Sequence, residues 1–159
     1  MSKKQINFIT LILLFCGTSI SQAAPDKQYG AGVILGSFTA VSLHYKQGEH
    51  NYIGGIAWDL GDDRKLHFHV DKIFHKPNSL KLSGQVLSWY YGLGGQFRSF
   101  DKDKSDDDFR IGARTSAGVE YDFDSIPLMI FLEAAFVLDF VPGISSDIET
   151  SLGARYYFD

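Results

Sequence analysis

The sharpest chemical pattern in this sequence is a short run in which His67, His69 and Asp71 alternate with Leu66, Phe68 and Val70. On a strand, alternate residues face the same way with successive spacings of roughly 7 Å. His67 and His69 could then share a metal, yet no third ligand and no nucleophile is identifiable beside them. The other reading is a hydrogen-bonded network in which the imidazoles pair with acids from neighbouring strands. A second constellation sets Arg98, Arg110, Arg114 and Arg155 against Glu120, Glu133, Asp139 and Glu149. Opposite charges held away from water must pair, because an unpaired one is strongly disfavoured. Taken together, these residues read as a structural polar network, with no catalytic residue, metal ligand or cofactor implied.

Two other motifs dissolve on inspection. Asp101 to Asp108 begins like a calcium loop, but Asp106 stands where the sixth-position glycine belongs and Gly112 where glutamate should close the site. A solvated surface loop explains it better. Gly30-x-Gly32 is not followed by a helix and is no nucleotide fingerprint.

The elements that must position these groups are strands. From Tyr29 onward, period-two segments separated by polar or glycine-rich turns recur to the C-terminus. Strands are expected near 29–37, 39–47, 51–60, 64–75, 87–99, 109–122, 128–140 and 147–158. The turns are Gly48-Glu49-His50, Gly61-Asp62-Asp63, Asp101 to Asp108, Asp124 to Pro127 and Pro142 to Asp147. Leu128 to Val141 tests the assignment. As a helix it is too short to span a bilayer, and Glu133 and Asp139 fall on different faces. As a strand, Glu133, Ala135, Val137 and Asp139 share one side and Leu132, Ala134, Phe136, Leu138 and Phe140 the other.

That sorting holds along the whole chain. One side is nearly free of charge, with aromatics mainly at the row ends and small aliphatics nearer the middles, as expected where aromatic girdles flank a hydrocarbon band. Lys72 falls on this side near a strand end, where its stem could snorkel. The opposite side collects His44, Lys46, Asp59 and the network residues, together with Gly92, Gly94, Gly112, Gly118 and Gly153. A soluble barrel would invert the arrangement and bury the apolar face. The glycines on the charged side suit a narrow lumen, and the apolar face persists over six or seven positions per strand in the last half, so the apolar side is expected outward.

An export route is present. Lys3 and Lys4 precede the apolar run Phe8 to Phe15, and Ser21-Gln22-Ala23 is a small-x-small cleavage site. Residues 1–23 are therefore expected to be a signal peptide and 24–159 one barrel domain. Cys16 follows Phe15, where acylation would need a small residue, and cleavage after Ala23 leaves no cysteine. Losing Lys3 and Lys4 takes the formal charge from −4 to −6, which argues against nucleic acid as a partner. The 8 tyrosines, 13 phenylalanines and 16 glycines favour strands and tight turns over helices.

Leu66-His67-Phe68-His69-Val70-Asp71, Tyr90-Tyr91-Gly92-Leu93-Gly94-Gly95, Arg110-Ile111-Gly112-Ala113-Arg114, Phe131-Leu132-Glu133-Ala134-Ala135, Val137-Leu138-Asp139 and Gly153 to Phe158 carry a resemblance. In plan the sequence looks like the small OmpA/OmpX-type barrels. More closely it resembles an uncharacterised family of small predicted bacterial outer-membrane β-barrel proteins, from about Leu66 onward. Phe136 stands where that family tends to have proline, and Asp159 follows the aromatic on which such barrels usually end. The resemblance implies a barrel and no enzyme.

The expectation is an all-β, eight-stranded antiparallel up-and-down transmembrane barrel of the bacterial outer membrane, monomeric, with a packed polar lumen and a structural or surface-interaction role. Its partners would be outer-membrane lipids and, during insertion, the barrel assembly machinery. Two alternatives stay open: a membrane-embedded enzyme or narrow channel using the His67/His69/Asp71 face, and a soluble periplasmic ligand-binding barrel. One tension is topological, because Pro77 to Val86 would form a long loop on the side where turns are normally short, unless strands 4 and 5 extend into it.

Overall fold

The structure is a computed structural model that describes residues 29–48, 50–58, 64–82, 85–100 and 109–158. The expected export signal, Asp59, Gly61-Asp62-Asp63 and the acidic stretch Asp101 to Asp108 lie outside the described residues. Eight strands follow in chain order: β1 (Tyr29–Gly36), β2 (Ala40–Gln47), β3 (His50–Trp58), β4 (Arg64–Leu82), β5 (Gln85–Phe100), β6 (Phe109–Asp122), β7 (Leu128–Val141) and β8 (Ser145–Phe158). Each pairs antiparallel with the next, and β8 returns to β1, so the sheet closes into an up-and-down barrel. The described residues contain no helix.

Register fixes the stagger of the wall. Stepping from Phe158 through its successive partners Tyr29, Tyr45, Tyr52, Lys72, Leu93, Thr115 and Phe136 returns to β8 at Ile148, ten residues from the start. With eight strands, a shear of this size goes with a tilt of about 35–45° and an interior just wide enough for side chains to fill.

Period-two sequence becomes two-faced wall. Along β7, Met129, Phe131, Glu133, Ala135, Val137 and Asp139 are buried, while Ile130, Leu132, Ala134, Phe136, Leu138 and Phe140 are exposed. The other strands sort the same way, so apolar residues cover the outside and the charged side lines the lumen. Outward aromatics gather at two levels. Tyr29, Tyr45, Tyr52, Trp89, Tyr91, Tyr121, Tyr156 and Phe158 mark the near end, where both described termini lie, and Trp58, Phe97, Phe109 and Phe140 the far end.

The main departure from expectation is at residues 76–86. The anticipated loop is instead a two-stranded ribbon, because β4 runs on to Leu82 and β5 begins at Gln85. β3 pairs with β4 only up to Lys72, and β6 with β5 only from Ser88, so the ribbon projects past the wall at the near end. Pro77 and Asn78 fall in a register shift between Lys76 and Leu80. Within it, Asn78 takes a φ of 50°, which asparagine tolerates better than most residues, and its N–H donates to Ser88 Oγ at 3.0 Å. Pro77, which has no N–H to give, sits in the same irregularity.

Neighbouring glycines on β5 offer a test of this packing. A Cβ on inward Gly94 would sit 2.0 Å from Val70 O and 2.3 Å from Asp71 Oδ1, whereas one on outward Gly95 would meet only Gly112 O at 3.6 Å. We expect Gly94→Ala to destabilise the barrel by about 1–3 kcal/mol in urea unfolding. Gly95→Ala should stay within about 0.5 kcal/mol of the parent.

Candidate functional site

The densest chemistry lies inside the barrel, around Arg114. β6 aims its guanidinium across the lumen, where Nη1 meets Asp71 of β4, Nη2 reaches Glu133 Oε1 of β7 at 2.7 Å, and Nε lies 3.7 Å from Glu149 Oε2 of β8. Asp71 and Glu133 have second partners. Ser116 Oγ donates to Asp71 at 3.0 Å, and the Tyr90 hydroxyl donates to Glu133 Oε2 at 2.5 Å. Toward the far end, Arg98 of β5 pairs with Asp139, reaches Asp147 at 3.0 Å and lies 3.7 Å from Glu149 Oε1. Glu149 therefore stands between two guanidinium groups. Such forked contacts suit arginine, whose planar donors can serve several carboxylate oxygens at once.

Toward the near end the pairs become smaller. His75 and Glu120 form an ion pair when the imidazole is protonated. His44 bonds to the Tyr157 hydroxyl at 2.5 Å through Nδ1 and to Asn51 through Nε2. Arg155, 1% exposed, is treated differently from the other two arginines. Its Nε donates to Ser42 Oγ at 2.8 Å, and its guanidinium carbon lies 3.8 Å from the Phe131 ring centre. A desolvated cation over an aromatic face gains about 2 kcal/mol or more.

The lumen is not polar throughout. Ile34, Phe38, Ala40, Ala57 and Phe131 form one buried apolar cluster, and Ile53, Ile73 and Tyr90 another. Half of these residues lie on β1 to β3, whereas the ion pairs come from β4 to β8. Phe38 belongs to the turn between β1 and β2. Ser37 is pinned to Thr150 by two hydrogen bonds, at 2.9 and 3.0 Å, and beside it Phe38 turns inward. Its ring stacks on His67 at 3.9 Å and meets His69 edge-on at 5.7 Å.

The residues singled out from sequence thus separate into distinct places. Asp71, Arg98, Arg114, Glu133, Asp139 and Glu149 meet in the ion-pair network. Glu120 and Arg155 are buried but bond elsewhere. His67 and His69 contact each other at 3.3 Å, while their strand neighbour Asp71 is committed to Arg114. Among the described residues, no three His, Cys, Asp or Glu side chains gather as a set of metal ligands. Arg110 lies at the far rim, half-exposed, with its guanidinium 5.2 Å from the Phe100 ring centre. Tyr90, Ser116, His75, Ser42 and Tyr157 were missed as partners. The first four lie on the charged parity of their strands, and so does Tyr157 on β8, which makes parity the signal that would have found them. Phe38 had no such signal, because a turn residue has no strand parity.

No known family model matches this chain, and no curated protein does. The functional reading therefore rests on geometry.

Glu133 is the most informative position to break, being shared by Arg114 and Tyr90. Glu133→Gln leaves Arg114 one carboxylate short in a dry site, and we expect a loss of roughly 3–5 kcal/mol in equilibrium unfolding. An unfolding midpoint unchanged from the parent would show that this pair does not brace the wall.

Proposed function

We propose that this chain is a small bacterial outer-membrane β-barrel, monomeric and non-enzymatic, whose filled lumen leaves it a structural or surface-interaction role in the envelope. The observation that carries the reading is the inverted distribution of polarity. Leu132, Leu152 and Ile148 are 55%, 55% and 69% exposed on the outside, while Asp71 and Arg155 are at 0% and 1% inside. In water such an exterior would present an apolar surface far larger than the few hundred Å² that soluble monomers tolerate. In hydrocarbon the same wall is at home, and a closed barrel leaves no unpaired strand edge inside it. Strand length agrees for most of the wall. A membrane strand needs about 9–11 tilted residues; β5 to β8 exceed this, β3 at nine residues stands at its lower edge, and β1 and β2 at eight fall one residue short of it.

The filled interior supports a plug over a pore. Arginine forks spanning β4 to β8 and the inward Phe38 occupy a lumen that has room for little beyond side chains. Purified protein in planar bilayers should show little steady conductance. Large, stable channels would transfer the reading to the narrow-channel alternative.

Orientation of the faces is tested on β7, after replacing Cys16, the one cysteine of the chain, if it is retained. Spin labels at Leu132, Ala134 and Phe136 should be relaxed mainly by oxygen, which partitions into lipid, and labels at Ala135 and Val137 should be shielded. Arginine at Ala134 should cost roughly 2–4 kcal/mol near the bilayer midplane. Labels at 132, 134 and 136 that are wet and relaxed by a water-soluble agent would sink the membrane reading.

A further inference from the structure

Among the strand residues whose side chains the structure describes, Lys72 and Lys76 are the lysine, arginine or carboxylate side chains that point outward from the wall. Both lie on β4, at the near end, in a chain whose formal charge is −4. Their surroundings are aromatic. Phe74, between them, stacks on Tyr91 at 5.1 Å, and Trp89 lies 6.0 Å from Tyr91. In register, Lys72 faces Tyr52 and Lys76 faces Trp89.

The direction of the Lys72 side chain matters most. Its backbone sits at the last rung shared with β3, level with the aromatic row, where a bare ammonium would be held among apolar groups. Its Nζ lies over the Phe74 ring, 5.8 Å from the centroid. Phe74 is two residues nearer the projecting end, so the stem runs toward that end. Four residues of strand separate the two lysines by about 13 Å, and the lean of Lys72 shortens the gap between their ammonium groups. Two cations thus approach one level from the apolar side, over rings of the type that settles at the membrane–water boundary.

From this arrangement we infer that the outer base of the β4–β5 ribbon is a docking surface for the phosphate of an anionic phospholipid headgroup. The inference rests on the outer-membrane reading and deepens it by naming a lipid class and a place on the wall. Charge complementarity selects the occupant: two cations stand with no outward carboxylate among the described residues of the wall. The ring faces of Phe74 and Tyr91 offer packing for the acyl chain below the phosphate. Exposed lysine near a membrane surface attracts anionic lipid with about 1 kcal/mol each, which corresponds to roughly a fivefold enrichment.

Lipid selectivity of the inserted barrel tests the assignment. Spin-labelled phosphatidylglycerol and phosphatidylcholine are compared, at low salt, for the motionally restricted fraction each shows in phosphatidylcholine bilayers containing the protein. The parent should favour phosphatidylglycerol by roughly threefold to tenfold. Lys72→Gln/Lys76→Gln should bring the ratio close to one. The control Lys46→Gln/Lys81→Gln, at exposed positions off the outward face, should keep it. Parent protein without preference, or a preference that survives the Lys72/Lys76 substitutions, would overturn the inference. A preference abolished by millimolar inorganic phosphate at constant ionic strength would also overturn it, assigning the lysines to a soluble anion. No restricted fraction with either lipid would be a different failure, that of the membrane reading itself.

Discussion

A guanidinium at the centre of an eight-stranded barrel has nowhere to go. Arg114 is 3% exposed, and the wall around it closes at a width that side chains alone can fill. Its charge must be met by carboxylates brought from other strands, and Asp71, Glu133 and Glu149 arrive from β4, β7 and β8. Arg98 shares Glu149 and adds Asp139, so five consecutive strands are braced through two cations. Space for these long side chains has to come from somewhere. A Cβ at Gly94 would collide with Asp71 Oδ1, at Gly112 with Asp139 Oδ1, and at Gly118 with the Tyr90 ring and hydroxyl. The inward glycines are therefore the complement of the ion pairs.

The other half of the lumen solves the same filling problem with apolar groups. Phe38 enters from a turn, and Phe131 joins it while also receiving Arg155 on its face. Arg155 marks the seam between the halves. It uses a hydroxyl and an aromatic ring where Arg98 and Arg114 use carboxylates. Truncating Phe131 would therefore uncover a buried cation as well as open a cavity.

Much of this was legible in the sequence because the wall has a strict period of two and each strand carries its own parity. Glu133 and Asp139 against Leu132 and Phe136 identify β7 and its inward face without reference to any other strand. What parity cannot supply is pairing across the lumen. His67, His69 and Asp71 share a face, yet Asp71 is drawn to Arg114 and the imidazoles to Phe38. Choosing among those partners depends on shear, which becomes visible only when the register is closed. The 76–86 segment was misread because Pro77 and Asn78 are loop signals that a bulge can also accommodate. Phe38 was invisible for a third reason. Hydrogen bonds between Ser37 and Thr150, residues far apart in sequence, accompany its inward turn.

Everything functional here follows from an apolar outside and a charged inside. The protein's only two tryptophans lie on that outside at opposite ends, Trp58 at the far level and Trp89 at the near level. Depth-dependent fluorescence quenching by phospholipids brominated at successive acyl positions reads both at once, with single replacements Trp58→Phe and Trp89→Phe separating the signals. If the proposed membrane orientation holds, each tryptophan should be quenched, most strongly by bromines placed high on the chain near the headgroup, because that orientation puts both at the boundary. Emission that ignores brominated lipid at every depth and is quenched by aqueous iodide would contradict it.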